Sequence, residues 1–268
     1  MERMLDIGGR KIEAAFFGPS PDKAPTLVLL HEGLGCVAMW RDFPEKLAKA
    51  SGYGVLAYSR FGYGKSSPAP LPRPLSYMHD EALAVLPQVL DAAGVKKAVL
   101  VGHSDGASIA AIYGGGAQDF RVRGLVLMAP HFFVEDVSVK SIAAAKVAYE
   151  TGDLKARLAK YHGENTENAF RGWNDAWLDP EFRDWNIEEY IATIRVPVLL
   201  IQGEDDAYGT LKQLDACERE AYCPVERLVL ARCGHAPQIE QPEETLRAIA
   251  DFTNRLLAVH EGLRPAVA

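Results

Sequence analysis

The stretch Ala98-Val99-Leu100-Val101-Gly102-His103-Ser104-Asp105-Gly106-Ala107 decides how the chain is read. An apolar run leads into Gly102-x-Ser104-x-Gly106, and the small-residue run 107–113 follows. That order is strand, tight turn, helix, the setting in which the serine of a G-x-S-x-G motif is held out on a sharp bend. Bulky neighbours would clash there, and the two glycines relieve the crowding. Ser104 is therefore expected to point into a cleft as a nucleophile. The Asp105 amide, in the first helical turn, lacks an intrahelical partner and can donate to a developing oxyanion. The alternative is a serine that uses the same oxygen to cap the helix.

On either side of this unit, short apolar runs bounded by turn residues recur at 12–17, 26–31, 55–59, 98–102, 125–129, 198–201 and 227–230. Several are apolar throughout, as strands buried on both faces must be. Helical stretches alternate with them at 43–50, 76–93, 104–113, 211–221 and 243–259. Such alternation specifies an α/β fold: a mostly parallel central sheet flanked by helices. The segment 131–195 breaks the pattern, with no convincing strand and three of the four tryptophans, Trp173, Trp177 and Trp185. It reads as a helical lid inserted into a core formed by 1–130 and 196–268. Trp173 and Trp177 would either line a substrate pocket beneath it or glue its helices to the core.

With 268 residues, 48% hydrophobic and 24% charged, the chain has an ordinary globular composition, which excludes disorder and coiled coil. A net charge of −7 without a Lys/Arg cluster gives no field for nucleic acid or an anionic membrane. The four cysteines have no paired CxxC spacing, so neither a zinc site nor a redox motif is indicated. The charged N-terminus and the shortness of every apolar run point to a cytoplasmic protein without a membrane span.

Serine needs a neighbouring imidazole to take its proton. Among seven histidines, His235 lies in Cys233-Gly234-His235-Ala236-Pro237, between the last predicted strand and the final helix. Loops at strand carboxyl ends are where sites gather in α/β sheets. The carboxylate that would orient this base is sought at another strand end, where Gly203-Glu204-Asp205-Asp206 offers two adjacent aspartates. Either gives the order Ser, Asp, His of a nucleophile elbow. His79, His162 and His260 carry no motif, whereas His131, close behind the 125–129 run, is placed to reach the pocket rim.

The strand-Gly102-His103-Ser104-Asp105-Gly106-helix unit, Gly203-Glu204-Asp205-Asp206 and Gly234-His235 together resemble the α/β-hydrolase superfamily over nearly the whole chain. The resemblance implies Asp206 as the acid, which in that superfamily usually stands three residues after the glycine. It marks His103 as a support beside the nucleophile. It also places the second oxyanion donor in Leu29-Leu30-His31-Glu32-Gly33-Leu34-Gly35, at the amide of Gly33 or of Leu34, with His31 holding the loop. The run Ser59-Arg60-Phe61-Gly62-Tyr63-Gly64-Lys65-Ser66 resembles the family's structural glycine-rich turn and lacks P-loop spacing.

Glu32 departs from the family pattern, since a glycine is common there. Its carboxylate either turns outward to pair with a base such as Arg60, the favoured expectation, or faces the pocket and handles a proton or a cationic group. The chemistry implied is acyl transfer to water, with no metal or organic cofactor, on a small or medium carboxylic ester, a thioester or a lactone. Hydrolysis of a carbon–carbon bond in a diketone-like intermediate uses the same three residues in this superfamily. A small-molecule receptor on the hydrolase fold is the non-enzymatic alternative. Epoxide hydrolases of similar fold carry an aspartate where this chain has Ser104. A histidine base must be neutral to accept a proton, so activity is expected to fall in acid.

Overall fold

A computed structural model describes residues 1–261; residues 262–268, the end of the expected core segment, lie outside the described residues. Eight strands form one sheet: β1 (Glu2–Ile7), β2 (Arg10–Phe17), β3 (Thr26–Leu30), β4 (Gly54–Tyr58), β5 (Ala98–His103), β6 (Val122–Met128), β7 (Val198–Gly203) and β8 (Val225–Leu230). Their order is β1-β2-β4-β3-β5-β6-β7-β8. The pairings β1–β2 and β2–β4 are antiparallel and all others are parallel.

The period-2 alternation of the central strands explains why they read as unbroken apolar runs. Val28, Leu30, Ala98 and Leu100 point to one hydrophobic layer. Leu27, Leu29, Val99 and Val101 point to the other. Helices cover both. The chain contains α1 (Phe43–Ser51), α2 (Tyr77–Asp80), α3 (Leu86–Ala92), α4 (Asp105–Gly116), α5 (Asp136–Thr151), α6 (Leu154–His162), α7 (Thr166–Trp177), α8 (Glu188–Ile191), α9 (Lys212–Glu220), α10 (Pro237–Glu240) and α11 (Pro242–Glu261). α4 packs Ala107, Ile109 and Ala110 on the first layer, while α1 and α11 pack Phe43, Leu47, Ile249 and Phe252 on the second.

Two elements differ from the sequence expectation. The stretch 76–93 is helical without a break from Tyr77 to Ala92, as expected, but its middle, Glu81–Val85, widens into a π turn between α2 and α3. Pro87, in the first turn of α3, has no N–H to donate back along a continuous helix. At the N-terminus, β1 pairs with β2 as a hairpin through Gly8 and Gly9, both at positive φ. This edge strand is mostly exposed and polar, so it lacks an apolar run.

Between β6 and β7 the chain runs through α5 to α8 with only an isolated bridge, Phe133 to Asn186, and no strand. No helix among the described residues is long and apolar enough to cross a membrane. All four cysteines are free thiols.

Candidate active site

Strands β3 and β5 are neighbours whose following loops both carry polar groups at the carboxyl edge of the sheet, and β6, β7 and β8 end at that edge too. Sites form where such loops converge. Ser104 follows β5 with φ of 54°, a left-handed conformation rare for a residue with a side chain. The bend survives because a Cβ on Gly106 would collide with the Leu30 backbone, and one on Gly102 with the Gly106 backbone. Ser104 stands at the N-cap position of α4, but its side chain does not cap the helix.

Instead the Ser104 hydroxyl is 2.9 Å from His235 Nε2. On the other side of the ring, His235 Nδ1 lies 2.9 Å from Asp206 Oδ1 and 2.8 Å from Oδ2. Asp206 is fixed in turn: Oδ1 accepts from the amides of Tyr208 (2.7 Å) and Gly209 (3.3 Å), and Oδ2 from Gln202 Nε2 (2.7 Å). Burial acts to raise the Asp206 pKa, but His235 and the Tyr208 amide outweigh it and hold the carboxyl below its usual value. Asp205 is exposed; its amide donates to Cys233 O at 2.9 Å, which joins the β7 and β8 loops.

Three other histidines brace this arrangement. His103, 3% exposed, donates from Nε2 to the His235 carbonyl at 2.7 Å, and Gln238 meets its Nδ1 at 3.0 Å. His31 donates from Nδ1 to Glu32 O (2.7 Å) and accepts from the Arg60 amide at Nε2 (3.1 Å). His162, on α6, accepts the Gly64 amide at 3.0 Å and donates to Leu34 O at 2.9 Å, tying α6 to the β3 loop. Among the described residues, no turn or loop hydrogen bond is donated by the amides of Gly33, Leu34 or Asp105. A carbonyl oxygen can use such unpartnered donors.

Glu32 does not turn outward to Arg60. Arg60 is spent on main-chain oxygens, its guanidinium donating to His31 O and Glu32 O. The Glu32 carboxylate folds inward over Gly35, where a Cβ would collide with it, and lies 3.8 Å from His103 Nδ1. Burial works to raise its pKa, but His103, the loop and Arg60 leave it below the ordinary carboxylate value.

A cavity of about 230 Å³ opens on Ser104 and His235. Its walls include Glu32, Gly33, Leu34, Asp105 and His131, with Trp173 and Trp177 contributed by α7. The two tryptophans both line the cavity and attach the α5–α8 segment to the rest of the fold. Trp173 covers Gly33, and Trp177 Nε1 donates to Tyr77 Oη (3.0 Å) and Asp105 Oδ1 (3.3 Å). Tyr208, Met39 and Leu158 also line it, yet none carries a sequence signal, because they arrive from separate loops and from the insertion. Among the described residues, no group of three or more His, Cys, Asp or Glu side chains is disposed to hold a metal ion.

Asp105 is wholly buried, and Tyr77 donates to its Oδ2 at 2.6 Å. Removing that donor by Tyr77→Phe should destabilise the protein by about 1.5–3 kcal/mol, the usual size for a hydrogen bond to a charged group. Urea unfolding checks this: the midpoint should fall with the slope unchanged, and an unmoved midpoint would contradict it.

His31, His131 and His162 are all buried, and burial is the main cause holding each pKa below the ordinary value; for His131 it falls to about 3. In the unfolded chain each titrates near its reference value of about 6.5. Stability is thus complete above that value and is lost as pH falls toward the folded values, by up to about 1.4 kcal/mol per pH unit per histidine. The urea midpoint should therefore drop measurably between pH 7 and pH 5. A flat profile over that window would show that these rings are not held neutral by the fold.

Comparison with known proteins agrees with this architecture. Residues 27–248 match the model of the Alpha/beta hydrolase family. Epoxide hydrolase B of Mycobacterium tuberculosis is 34% identical over 110 residues, a match covering 41% of this chain but only 30% of that protein. Proline iminopeptidase of Lactobacillus delbrueckii subsp. lactis is 24% identical over 293 residues, covering 94% of this chain and 97% of the relative. The crystal structure of naproxen esterase from Bacillus subtilis superposes with a TM-score of 0.72 at 19% identity, covering 95% of this chain and 91% of the other. With a family match spanning most of its length on a sheet of this topology, the chain belongs to the alpha/beta hydrolase family.

Proposed function

We propose that the protein is a serine hydrolase that cleaves small or medium carboxylic esters, with thioesters and lactones as chemical neighbours, through an acyl-enzyme. The observation that carries the reading is the unbroken relay from Ser104 through His235 to Asp206, opening on a largely apolar cavity. In this reading Ser104 Oγ attacks the carbonyl carbon while His235 Nε2 takes its proton. The amides of Asp105 and of Gly33 or Leu34 hold the tetrahedral oxyanion. His235 then protonates the leaving alcohol, and water repeats the sequence to release the acid. Asp206 keeps the imidazole in the required tautomer and stabilises its cation.

A volume of about 230 Å³ lies below the roughly 300–1,000 Å³ of pockets for drug-sized ligands, which favours small substrates. The insertion 131–195 acts as a lid, its tryptophans keeping water from the reacting carbonyl. Ser104, in place of a carboxylate nucleophile, favours acyl transfer over epoxide opening despite the partial likeness to an epoxide hydrolase. A second reading, cleavage of an N-terminal amide, draws support from the full-length relatives named proline iminopeptidase and from the Glu32 carboxylate on the cavity wall.

Treatment with a fluorophosphonate followed by peptide mass spectrometry should label Ser104, and a panel of esters, thioesters, lactones, diketones and a prolyl anilide should show esters turned over fastest. Absence of labelling, with the probe shown to enter the cavity, would overturn the reading. Faster turnover of the anilide would move it to the second.

A further inference from the structure

His131 follows β6 and is 3% exposed, yet it lies on the cavity wall. Its surroundings make its position deliberate. Ser108 Oγ donates to the His131 carbonyl at 2.6 Å, and the ring packs edge-on to Trp177, centroids 5.1 Å apart, with His235 at 5.8 Å. Neither ring nitrogen has a hydrogen-bond partner among the described residues. Buried polar groups are almost always paired, so an orphaned imidazole beside a cavity points to a partner supplied by the ligand.

The two nitrogens differ. Nδ1 is sealed from solvent on the side of Gly209, which leaves Nε2 as the nitrogen toward the cavity. Burial, aided by His235, holds the ring neutral, with a pKa near 3. It therefore carries one N–H and one lone pair. Orphaned buried N–H groups are rarer than orphaned acceptors, so the proton belongs on Nε2, where a ligand can accept it.

We propose that His131 is a specificity-determining residue whose Nε2–H receives a neutral acceptor oxygen of the substrate, a ketone, ether or second ester carbonyl set apart from the bond that is cut. This deepens the ester-hydrolase reading and rests on it for the identity of that bond. Its test is a binding measurement, so the two fail separately.

In the Ser104→Ala protein, which cannot add to a ketone, dissociation constants are measured by tryptophan fluorescence for phenylacetone and for isobutylbenzene, where a methyl replaces the carbonyl oxygen. The ratio of the two constants should shift by about tenfold against the ketone when His131→Leu is added, the worth of one buried hydrogen bond. His131→Gln, which keeps a donor at similar reach, should retain most of the parent ratio. In the unsubstituted cavity, phenylacetone should move the Nε2 resonance of 15N-labelled His131 and isobutylbenzene should not. An unmoved resonance, an unchanged ratio in His131→Leu, or the same shift produced by Tyr208→Phe instead would overturn the assignment.

Discussion

Ser104→Ala is expected to lower kcat on the best ester by on the order of a millionfold while leaving KM within a few fold. In the proposed mechanism the hydroxyl makes the new bond to carbon, so its loss would remove the acyl-enzyme path and leave only the environment that water would meet. That environment is unchanged by the substitution. The unpartnered Asp105 amide belongs to a helix held by Leu30 and Gly102 packing, independent of the serine side chain. Residual catalysis of about 10³–10⁴ over water is thus compatible with complete loss of the nucleophile. Ser104 is buried and, among the described residues, its hydroxyl bonds only to His235, so the fold should survive, which circular dichroism and the urea midpoint will check. A variant that retains more than about a hundredth of kcat would show that another group carries the reaction, since single members of such a unit are worth far more than that.

The fold was readable because the information is local. Strands β3 to β7 are buried on both faces, so each announces itself as an apolar run, and the turn after β5 is forced by two glycines with backbone pressed against them. His235 and the aspartate pair were found through a topological rule, that loops at strand carboxyl ends converge. What stayed hidden depends on contacts distant in sequence. The inward fold of Glu32 follows from Arg60 being committed to two carbonyls, and no spacing in the sequence states that commitment. His162 reaches Leu34 across 128 residues and Trp177 reaches Asp105 across 72, so the hold of the α5–α8 segment on the site could not be counted out along the chain. β1 escaped for a different reason: an edge strand facing water needs no apolar run, and only the Gly8-Gly9 turn marked it.

Asp206→Asn should lower kcat by about 10⁴, the size seen when a triad aspartate is made neutral with its geometry kept. The hydrogen-bond donors around the residue say why the conservative change is so costly. Oδ1 accepts from the amides of Tyr208 and Gly209, which can only donate, so the asparagine oxygen must stay there. Its NH₂ is then turned toward Gln202 and His235. Gln202 adapts at a cost: its buried Oε1 has no partner and a flip of the amide would present it, but the flip takes Nε2 away from the Gly209 carbonyl, which it meets at 3.1 Å. His235 Nδ1 lies nearest the position the NH₂ takes, at 2.8 Å against 2.9 Å to the retained oxygen, and accepting from that NH₂ moves the ring proton to Nε2, where it faces the Ser104 hydroxyl as a donor instead of an acceptor. The base is disabled for the loss of one hydrogen bond elsewhere, so stability should fall by only about 0.5–1.5 kcal/mol while kcat collapses. Asp205→Asn, at an exposed site, should leave kcat within about two- to threefold, as surface substitutions do. Comparing the two variants in one ester assay separates neighbours in sequence that differ in role, and a large loss at 205 with a small one at 206 would reverse the assignment.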